Sequence, residues 1–400
     1  MLTSLSERRA AAVPALPSPN SWYIPLALAA SAGPLTVLFN GAAGTTGNVP
    51  VTAFILALPP LIILLMSRVT LRLNVIDAFF LVFALAVAVS TLKNGITSLN
   101  NEGQFVIALL CYPAARFVPI NEHPFYFIAI TSLIVGAGAA VTGLELARHW
   151  DIGTKLGVFG FGHAATVFLM LLGVTLISVV TQVRLDMVRT AFTCGLMALP
   201  VAIFAAAQVR YTFVAIGIAL LAAFVVSKQR LAVAIIMAAF VVSAVTGLAV
   251  RHRATAASLH DVAVVATKGV DPGPASCSSD NTIVQRGVIL REAMHLVPSA
   301  GLFGAGLSSL ASVSCYRMDP HVSMLQATID FGYIGGLAFA GLLGFALLKL
   351  WPLAGGNEAA FVLCMIIFLA LLDLAHGRLE GDNLFLLFAG YAARLHAAKA

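Results

Sequence analysis

The chain has 400 residues, of which 60% are hydrophobic and only 10% charged, and its mean hydropathy is +0.97. This composition excludes an ordinary soluble domain, in which about a quarter of the residues are charged. The net charge of +6 comes without a basic and aromatic patch, which excludes a nucleic-acid-binding protein. The sequence therefore predicts an all-α integral membrane protein.

Apolar runs recur along the chain, and most are long enough to cross the hydrocarbon layer of about 30 Å as a helix. We predict about twelve transmembrane helices. Helices 1–9 lie in residues 1–250, a long polar loop occupies residues 251–320, and helices 10–12 follow in residues 321–400. The predicted spans are 22–39, 51–66, 77–92, 104–118, 125–146, 158–181, 190–207, 211–227, 231–250, 322–350, 359–372 and 384–396.

The Lys and Arg residues divide unequally between the two sides of this topology. Segments on the side of the N-terminus carry most of them, among them Arg184 and Arg189. By the positive-inside rule that side is cytoplasmic, so the long loop faces outward, into the periplasm of a Gram-negative host. The first apolar run is compatible with a cleaved signal peptide, but its length favours an uncleaved first helix.

The five cysteines divide between the spans and the loop. Cys111, Cys194 and Cys364 fall within apolar spans and are interpreted as small core residues. Cys277 and Cys315 lie in the long loop. An oxidising compartment would permit them to pair, and two free thiols are the alternative.

The second half of the loop predicts a short helix that starts at Thr282 and ends before Pro298. Thr282 and Gln285 have the spacing of a capping box. A short amphipathic helix of this kind is expected along the membrane surface, with Arg286 and Arg291 near the headgroups. Its apolar stripe has helical spacing and comprises Ile283, Val284, Ile289, Leu290, Ala293 and Met294.

A glycine cluster follows, with Gly301, Gly304 and Gly306 separated by Leu, Phe and Ala. It lacks the Gly-Lys-Ser/Thr ending of a phosphate-binding P-loop, so nucleotide binding is excluded. We interpret it as a tight turn whose backbone approaches a neighbouring segment closely.

Polar residues then gather where the loop enters the tenth span, a costly place for them in a membrane protein. His321, Gly332 and Gly335, with Leu325, Gln326 and Asp330 between them, resemble the motif of the O-antigen ligase and O-antigen polymerase superfamily, from which Val322 departs. An upstream motif of the same superfamily is matched in order by Arg286, Ile289, Leu290, Ala293, Pro298 and the Phe-Gly-Ala-Gly turn 303–306, although Leu290 stands where a Trp is usual. A third element, an arginine at the outer start of a span, resembles Arg210.

The resemblance implies a metal-independent glycosyltransferase without cofactor, which takes a glycan from undecaprenyl diphosphate at the periplasmic face of the inner membrane. Arg210 and Arg286 would stabilise the departing diphosphate, because guanidinium forks bind phosphate oxygens in pairs and remain protonated. His321 would accept the proton of the acceptor hydroxyl, since an unperturbed imidazole titrates near about 6.5. Arg291, Gln326 and Asp330 are the candidate substrate-binding residues.

Three functions remain open at this point, and the spacing of the motif that begins at His321 favours the first of them. An O-antigen ligase would transfer the finished polymer to the lipid A–core, whereas a polymerase would transfer a growing chain to a carrier-linked repeat unit. A glycan or lipid transporter without chemistry is the third, although transporters tend to show internal repeats and broken helices at the membrane midplane. Equally, Arg210 can serve as a membrane anchor, and Arg286 and Arg291 can bind anionic lipid headgroups.

Overall fold

The computed structural model of the chain describes residues 23–44, 49–67, 72–118, 124–149, 157–159, 161–207, 209, 211–252, 255–256, 282–374 and 377–399. These residues are predominantly helical, and no β-strand occurs among them. The predicted all-α class is therefore confirmed for the described part of the chain.

The α-helices are numbered here in chain order. They are α1 Tyr23–Ala30, α2 Ala32–Ala42, α3 Val49–Met66, α4 Val75–Asn94, α5 Leu99–Phe117, α6 Phe125–Arg148, α7 Ala164–Gln182, α8 Met187–Ala206, α9 Tyr211–Val226, α10 Arg230–Val250, α11 Thr282–Leu296, α12 Ser309–Val313, α13 Ser323–Leu350, α14 Asn357–Asp373 and α15 Asn383–Lys399. Short 3₁₀ turns cover Val297–Ser299, Trp351–Leu353 and Leu379–Gly381.

Six of the described helices, α4, α6, α7, α8, α10 and α13, are long and apolar enough to cross a membrane. The bent pair α1 and α2 would make a seventh span, and α3 and α9 are shorter apolar helices. Leu85, Leu133 and Leu199 are more than half exposed on α4, α6 and α8, as expected where side chains face lipid. The structure thus supports a multi-pass membrane protein, while the count of twelve spans remains a prediction.

The first predicted span is broken in the structure. It forms α1 and α2, which meet at 71° around Ser31. Pro34 explains the break, because its nitrogen has no hydrogen to donate to the carbonyl of Ala30 and its ring would clash with that carbonyl. The sequence predicts one helix here, because the hydropathy of the segment is continuous across the proline.

Helix α7 lies at the centre of the bundle. In its apolar window 89% of the residues are buried, compared with 22% in α8 and in α10. It packs against α6, α9 and α14, and α14 in turn contacts α13 and α15. Phe168 of α7 stacks on Phe204 of α8, with ring centroids 6.5 Å apart. The more exposed helices therefore surround α7 and present apolar surface to the membrane.

Short connections make the helices alternate between two ends of the bundle. One end, called here the loop end, contains residues 282–322 and the carboxyl ends of α4, α8 and α14. There Tyr211, at the start of α9, donates its hydroxyl to the carbonyl of Leu371, 2.8 Å away. At the opposite end, the side chain of Gln229 bonds the backbone of Val183 and Leu185 in the α7–α8 connection.

A buried ion pair joins α4 and α5 at the opposite end. Nε of Arg116 lies 3.0 Å from Oδ1 of Asp77, and both residues are buried. The hydroxyl of Tyr112 donates to the same carboxylate at 2.9 Å, and Arg116 also donates to the carbonyl of Arg72. The carboxylate of Asp77 is therefore fully occupied by hydrogen bonds and an ion pair, which is a structural role.

We expect Arg116→Met to lower the free energy of unfolding by about 3–5 kcal/mol, because it leaves the carboxylate of Asp77 buried without its cation. The matched control is Arg148→Met. Arg148 pairs with Glu145 at the same 3.0 Å, but its side chain is 68% exposed, so the loss should stay below about 1 kcal/mol. Thermal unfolding of both variants in detergent measures the difference, and equal losses would contradict the assignment.

Candidate functional site

Helix α11 is fixed to the start of α13 through a small apolar cluster. Ile289 and Ala293 on α11 are buried against Leu310 of α12 and Ile329 of α13. The predicted start at Thr282 and the end before Pro298 are confirmed. The predicted apolar stripe is only partly buried, since Leu290 and Met294 are exposed. They lie outside the face that packs on α13, and sequence spacing alone did not distinguish the two faces.

The glycine cluster is hydrogen-bonded to a break in α13. Gly332 has φ 76° and ψ −175° within the helix, so the amides of Tyr333 and Ile334 lose their helical acceptors, the carbonyls of Ile329 and Asp330. The amides instead donate to the carbonyls of Gly301 (2.9 Å) and Leu302 (3.3 Å). In return the two carbonyls accept from the amides of Ala305 (3.1 Å) and Gly306 (3.0 Å).

We call residues 301–306 and 329–334 the glycine clasp. Glycine is required on both sides of it. A Cβ at Gly304 would lie 2.2 Å from the carbonyl oxygen of Asp330, and one at Gly332 would lie 2.3 Å from the carbonyl carbon of Leu302. Ser90 and Lys93 of α4 reinforce the clasp by donating to the carbonyls of Asp330 (2.7 Å) and Gly304 (3.3 Å). The predicted close backbone approach of the glycine turn is therefore confirmed.

We expect Gly332→Ala to lower the free energy of unfolding by about 1–3 kcal/mol, because its backbone conformation is nearly exclusive to glycine. Gly344→Ala, on the same helix, is the matched control. No atom lies within 4 Å of a Cβ placed there, so this variant should be neutral or slightly stabilising. Thermal unfolding of both variants tests the clasp, and equal stability of the two would refute it.

The side chain of Asp330 is hydrogen-bonded to the segment that follows the glycine cluster. Its carboxylate accepts from the amides of Ser308 (3.0 Å) and Ser309 (3.1 Å) and from the hydroxyl of Ser309 (2.8 Å). The residue has no exposed surface. These bonds hold the start of α12 against α13. Asp330 therefore stabilises the conformation of the loop from a buried position. Direct contact of Asp330 with a substrate stays a prediction.

Gln326 is also buried, one turn before Asp330. Its Oε1 accepts from the amide of Leu379 at 3.0 Å, which ties α13 to the 3₁₀ turn that precedes α15. Neither Gln326 nor Asp330 lines the cavity described next.

Arg286 and His321 line one small cavity at the loop end. Its volume is about 120 Å³, and its walls are Arg286, Ile289, Leu290, Pro320, His321, Val322 and Leu374. Arg286 projects from α11, His321 lies just before α13, and Leu374 follows α14, so three separate segments contribute. At about 30 Å³ per water molecule, the cavity has room for one phosphate group or part of one sugar ring.

The Arg286 guanidinium is partly desolvated in this position. Burial lowers the pKa of Arg286 from its ordinary value. The group nevertheless remains a cation at neutral pH, because guanidinium does not lose its proton in proteins. Partial removal from water also strengthens its attraction to an anion. The cavity therefore combines a fixed positive charge with an imidazole, the two groups that the predicted chemistry requires.

The remaining predicted residues lie elsewhere or outside the described residues. Arg291 is five positions beyond Arg286, about 140° around the helix, and does not line the cavity. Arg210 lies outside the described residues. Its neighbour Tyr211 bonds the carbonyl of Leu371, three residues before the cavity-lining Leu374.

One predicted disulfide partner is described. Cys315 is disulfide-bonded, whereas Cys277 lies outside the described residues. Cys111, Cys194 and Cys364 are free thiols. Cys111 and Cys364 are buried, as a small core residue would be, but Cys194 is only partly so.

Two acids that hold the loop were not predicted from the sequence. Glu292 of α11 accepts from the hydroxyl of Ser314 at 2.7 Å and from the amide of Cys315 at 3.4 Å. Asp319 is buried and accepts from the amide of Ala311. The proximity of Asp319 to His321 in the sequence was a usable signal, whereas the contacts of Glu292 appear only once the loop folds back.

Buried polar atoms also occur next in the chain to two of the residues that line the cavity, Val322 and Leu374. Oγ of Ser323 has no hydrogen-bond partner among the described residues, and the side chain of Asp373 pairs with that of Asp382. Gly377 lies beside both, since a Cβ there would be 2.3 Å from Oγ of Ser323 and 2.6 Å from the carbonyl of Asp373. Asp373 immediately precedes the cavity-lining Leu374 in the chain, although it does not itself line the cavity.

Metal ligands do not cluster at this site. Across the ranges that the structure describes, no three His, Cys, Asp or Glu side chains lie close enough together to hold a metal ion.

Comparison with known proteins does not identify the chain. No known protein-family profile matches it, and no curated protein is significantly similar to it.

Proposed function

We propose that the protein is an O-antigen ligase-type glycosyltransferase of the bacterial inner membrane, which moves a glycan from undecaprenyl diphosphate to a lipid A–core sugar at the periplasmic face. The observation that supports this most is the shared cavity of Arg286 and His321. These residues are 35 positions apart in the sequence, yet α11 and the start of α13 bring them together. A cation for the leaving group and a base for the acceptor are the two groups that glycosyl transfer from a diphosphate needs.

In the proposed reaction, the oxygen of an acceptor hydroxyl forms a bond to the anomeric carbon of the glycan. The bond between that carbon and the diphosphate oxygen breaks, and its electron pair stays on the diphosphate. His321 takes the hydroxyl proton as general base. Arg286, together with Arg210, neutralises the charge that develops on the leaving diphosphate, which lowers the energy of the transition state.

The cavity is too small to enclose the whole lipid-linked donor. Its volume of about 120 Å³ is below the roughly 300–1,000 Å³ of sites that enclose a whole ligand. We infer that only the reacting phosphate and anomeric centre enter it, while the lipid tail stays in the membrane and the glycan extends outward. Exposed Leu290 and Met294 on α11 are suited to contact the lipid part of the donor.

Gln326 and Asp330 hold the cavity-lining segment in place without lining the cavity themselves. Their bonds to Leu379 and to the Ser308–Ser309 backbone hold the start of α13 in place, and His321 precedes that helix directly. Arg291 is left as a contact for the outer part of the donor. Positioning groups of this kind matter because a displacement of about 1 Å at a reacting centre can cost about a hundredfold in rate.

The test uses the purified full-length chain with undecaprenyl-diphosphate-linked oligosaccharide as donor. Lipid A–core is offered in one reaction and a second carrier-linked repeat unit in another. Glycosylated lipid A–core supports the ligase, and a longer carrier-linked product would instead make the protein a polymerase. Movement of intact donor across a vesicle membrane, with no new glycosidic bond in either reaction, would overturn the enzyme assignment in favour of a transporter.

A further inference from the structure

A large apolar crevice opens between α6, α7 and α8 and shares no lining residue with the candidate active site. Its volume is about 710 Å³. Ile128 and Val135 of α6 and Leu172 and Leu176 of α7 line it. Phe192 of α8 also lines it and is 69% exposed. The crevice therefore faces the apolar surroundings of the bundle, and its volume lies within the usual range for a ligand site.

The charged residues of the crevice, together with Gln182, lie at the end where α7 stops and α8 begins. Gln182, Arg184 and Arg189 all line the crevice there. This is the end opposite the loop end, because the carboxyl end of α8 leads directly to Tyr211 and its bond with Leu371. The charge pattern of the sequence assigns this end to the cytoplasmic face.

The charges at this end favour an anion. Arg189 is held in place by Asp186, whose Oδ2 is 3.6 Å from its Nε, and by the carbonyl of Arg184 at 2.9 Å. The guanidinium of Arg184 makes no hydrogen bond or ion pair to any residue in the described ranges. Two guanidinium groups thus stand beside one carboxylate, which leaves an excess of one positive charge at the mouth of the crevice.

Gln182 provides a second, independent indication of a ligand. Its Nε2 is buried and has no hydrogen-bond partner among the residues that the structure describes. Buried amide donors are nearly always paired in folded proteins. An oxygen of a bound molecule in the crevice would supply the acceptor.

We propose that the crevice binds an anionic phospholipid of the cytoplasmic leaflet. An acyl chain lies along the apolar walls of α6, α7 and α8, and the phosphodiester lies between Arg184 and Arg189. Gln182 donates to an oxygen of the glycerol ester or headgroup. Basic pockets between transmembrane helices on the cytoplasmic side bind anionic headgroups in this way. The proposal does not depend on the proposed transferase activity.

Gly136 allows a substitution that fills the crevice. It lines the crevice from α6, and no atom lies within 4 Å of a Cβ placed there. Gly136→Leu therefore inserts a side chain into the space proposed for the acyl chain. Gly195→Leu is the matched control, because Gly195 on the neighbouring α8 is equally open but does not line the crevice.

The experiment delipidates the full chain in detergent and titrates it with dioleoyl phosphatidylglycerol or dioleoyl phosphatidylcholine, with bound lipid counted by native mass spectrometry. We expect wild type and Gly195→Leu to bind phosphatidylglycerol at least tenfold more tightly than phosphatidylcholine. Gly136→Leu should lose at least tenfold in affinity for phosphatidylglycerol. The double variant Arg184→Ala/Arg189→Ala should bind the two lipids equally.

Three results would overturn the proposal. The first is wild-type binding of phosphatidylglycerol by Gly136→Leu, and the second is an unchanged lipid preference in the double arginine variant. The third is equally tight binding of glycerol 3-phosphate alone, which would show a simple anion site without an acyl chain. Thermal unfolding of each variant in detergent establishes that it is folded, and the double arginine variant changes only exposed side chains.

Discussion

Arg286→Ala should reduce the rate of glycan transfer by about 10²–10³-fold, while the protein still inserts and accumulates normally. The estimate follows from the loss of one fixed group that stabilises developing negative charge. Arg286 lines the cavity that it shares with His321 and is partly desolvated there. Water that enters the cavity of the variant should therefore stabilise the leaving diphosphate less well than the guanidinium does. Turnover of carrier-linked glycan by the purified variant is the measurement. Arg286→Lys should recover only part of the rate, because an ammonium group lacks the planar fork that binds two phosphate oxygens.

Arg317→Ala is the matched control for this substitution. Arg317 belongs to the same loop but is exposed and does not line the cavity. Its removal should change the rate less than twofold. Undiminished transfer by Arg286→Ala would exclude Arg286 from the reaction. An equal loss in both variants would show that the loop depends on its overall positive charge and has no specific site.

His321→Ala should reduce turnover by about 10²–10⁴-fold, the usual contribution of a general base. The carrier-linked donor should still bind with nearly wild-type affinity, because Arg286 and the apolar walls of the cavity are retained. Separate measurements of donor affinity and of single-turnover rate distinguish these two effects. His295→Ala is the control, since His295 lies on α11, is exposed and does not line the cavity.

The opposite pattern would assign His321 a different role. If His321→Ala weakens donor binding but the bound donor still reacts at the wild-type rate, His321 is a ligand contact and another group accepts the proton. Asp373 is then the next residue to test. Its carboxyl group pairs with that of Asp382, and Asp373 immediately precedes the cavity-lining Leu374 in the chain.

Much of the loop helix and the glycine turn was predictable from local signals. Thr282 and Pro298 marked the limits of α11, because caps and prolines act over a few residues. The spacing of Gly301, Gly304 and Gly306 predicted a close backbone approach, since only glycine allows it. The partner of that approach, Gly332, was not predictable, because the four exchanged hydrogen bonds join segments about 30 residues apart.

The roles of the polar residues in α13 were harder to predict. Asp330 and Gln326 stand close to His321 in the sequence, and a polar group in an apolar helix suggests function. The structure shows that both point into the protein and bond backbone amides. Burial of a polar side chain requires hydrogen-bond partners whether or not a substrate is near. Composition alone therefore did not distinguish a structural role from direct contact with a substrate.

The sequence by itself determined the all-α class, the apolar helices long enough to span a membrane, and the extent of the loop helix α11. These properties depend on hydropathy and on signals between near neighbours. Tertiary structure alone decided that Arg286 and His321 share a cavity, that α13 breaks at Gly332, and that a crevice with Arg184 and Arg189 lies at the other end. Such features arise because helices distant in sequence pack together, and the packing depends on side-chain shape, which apolar composition does not specify.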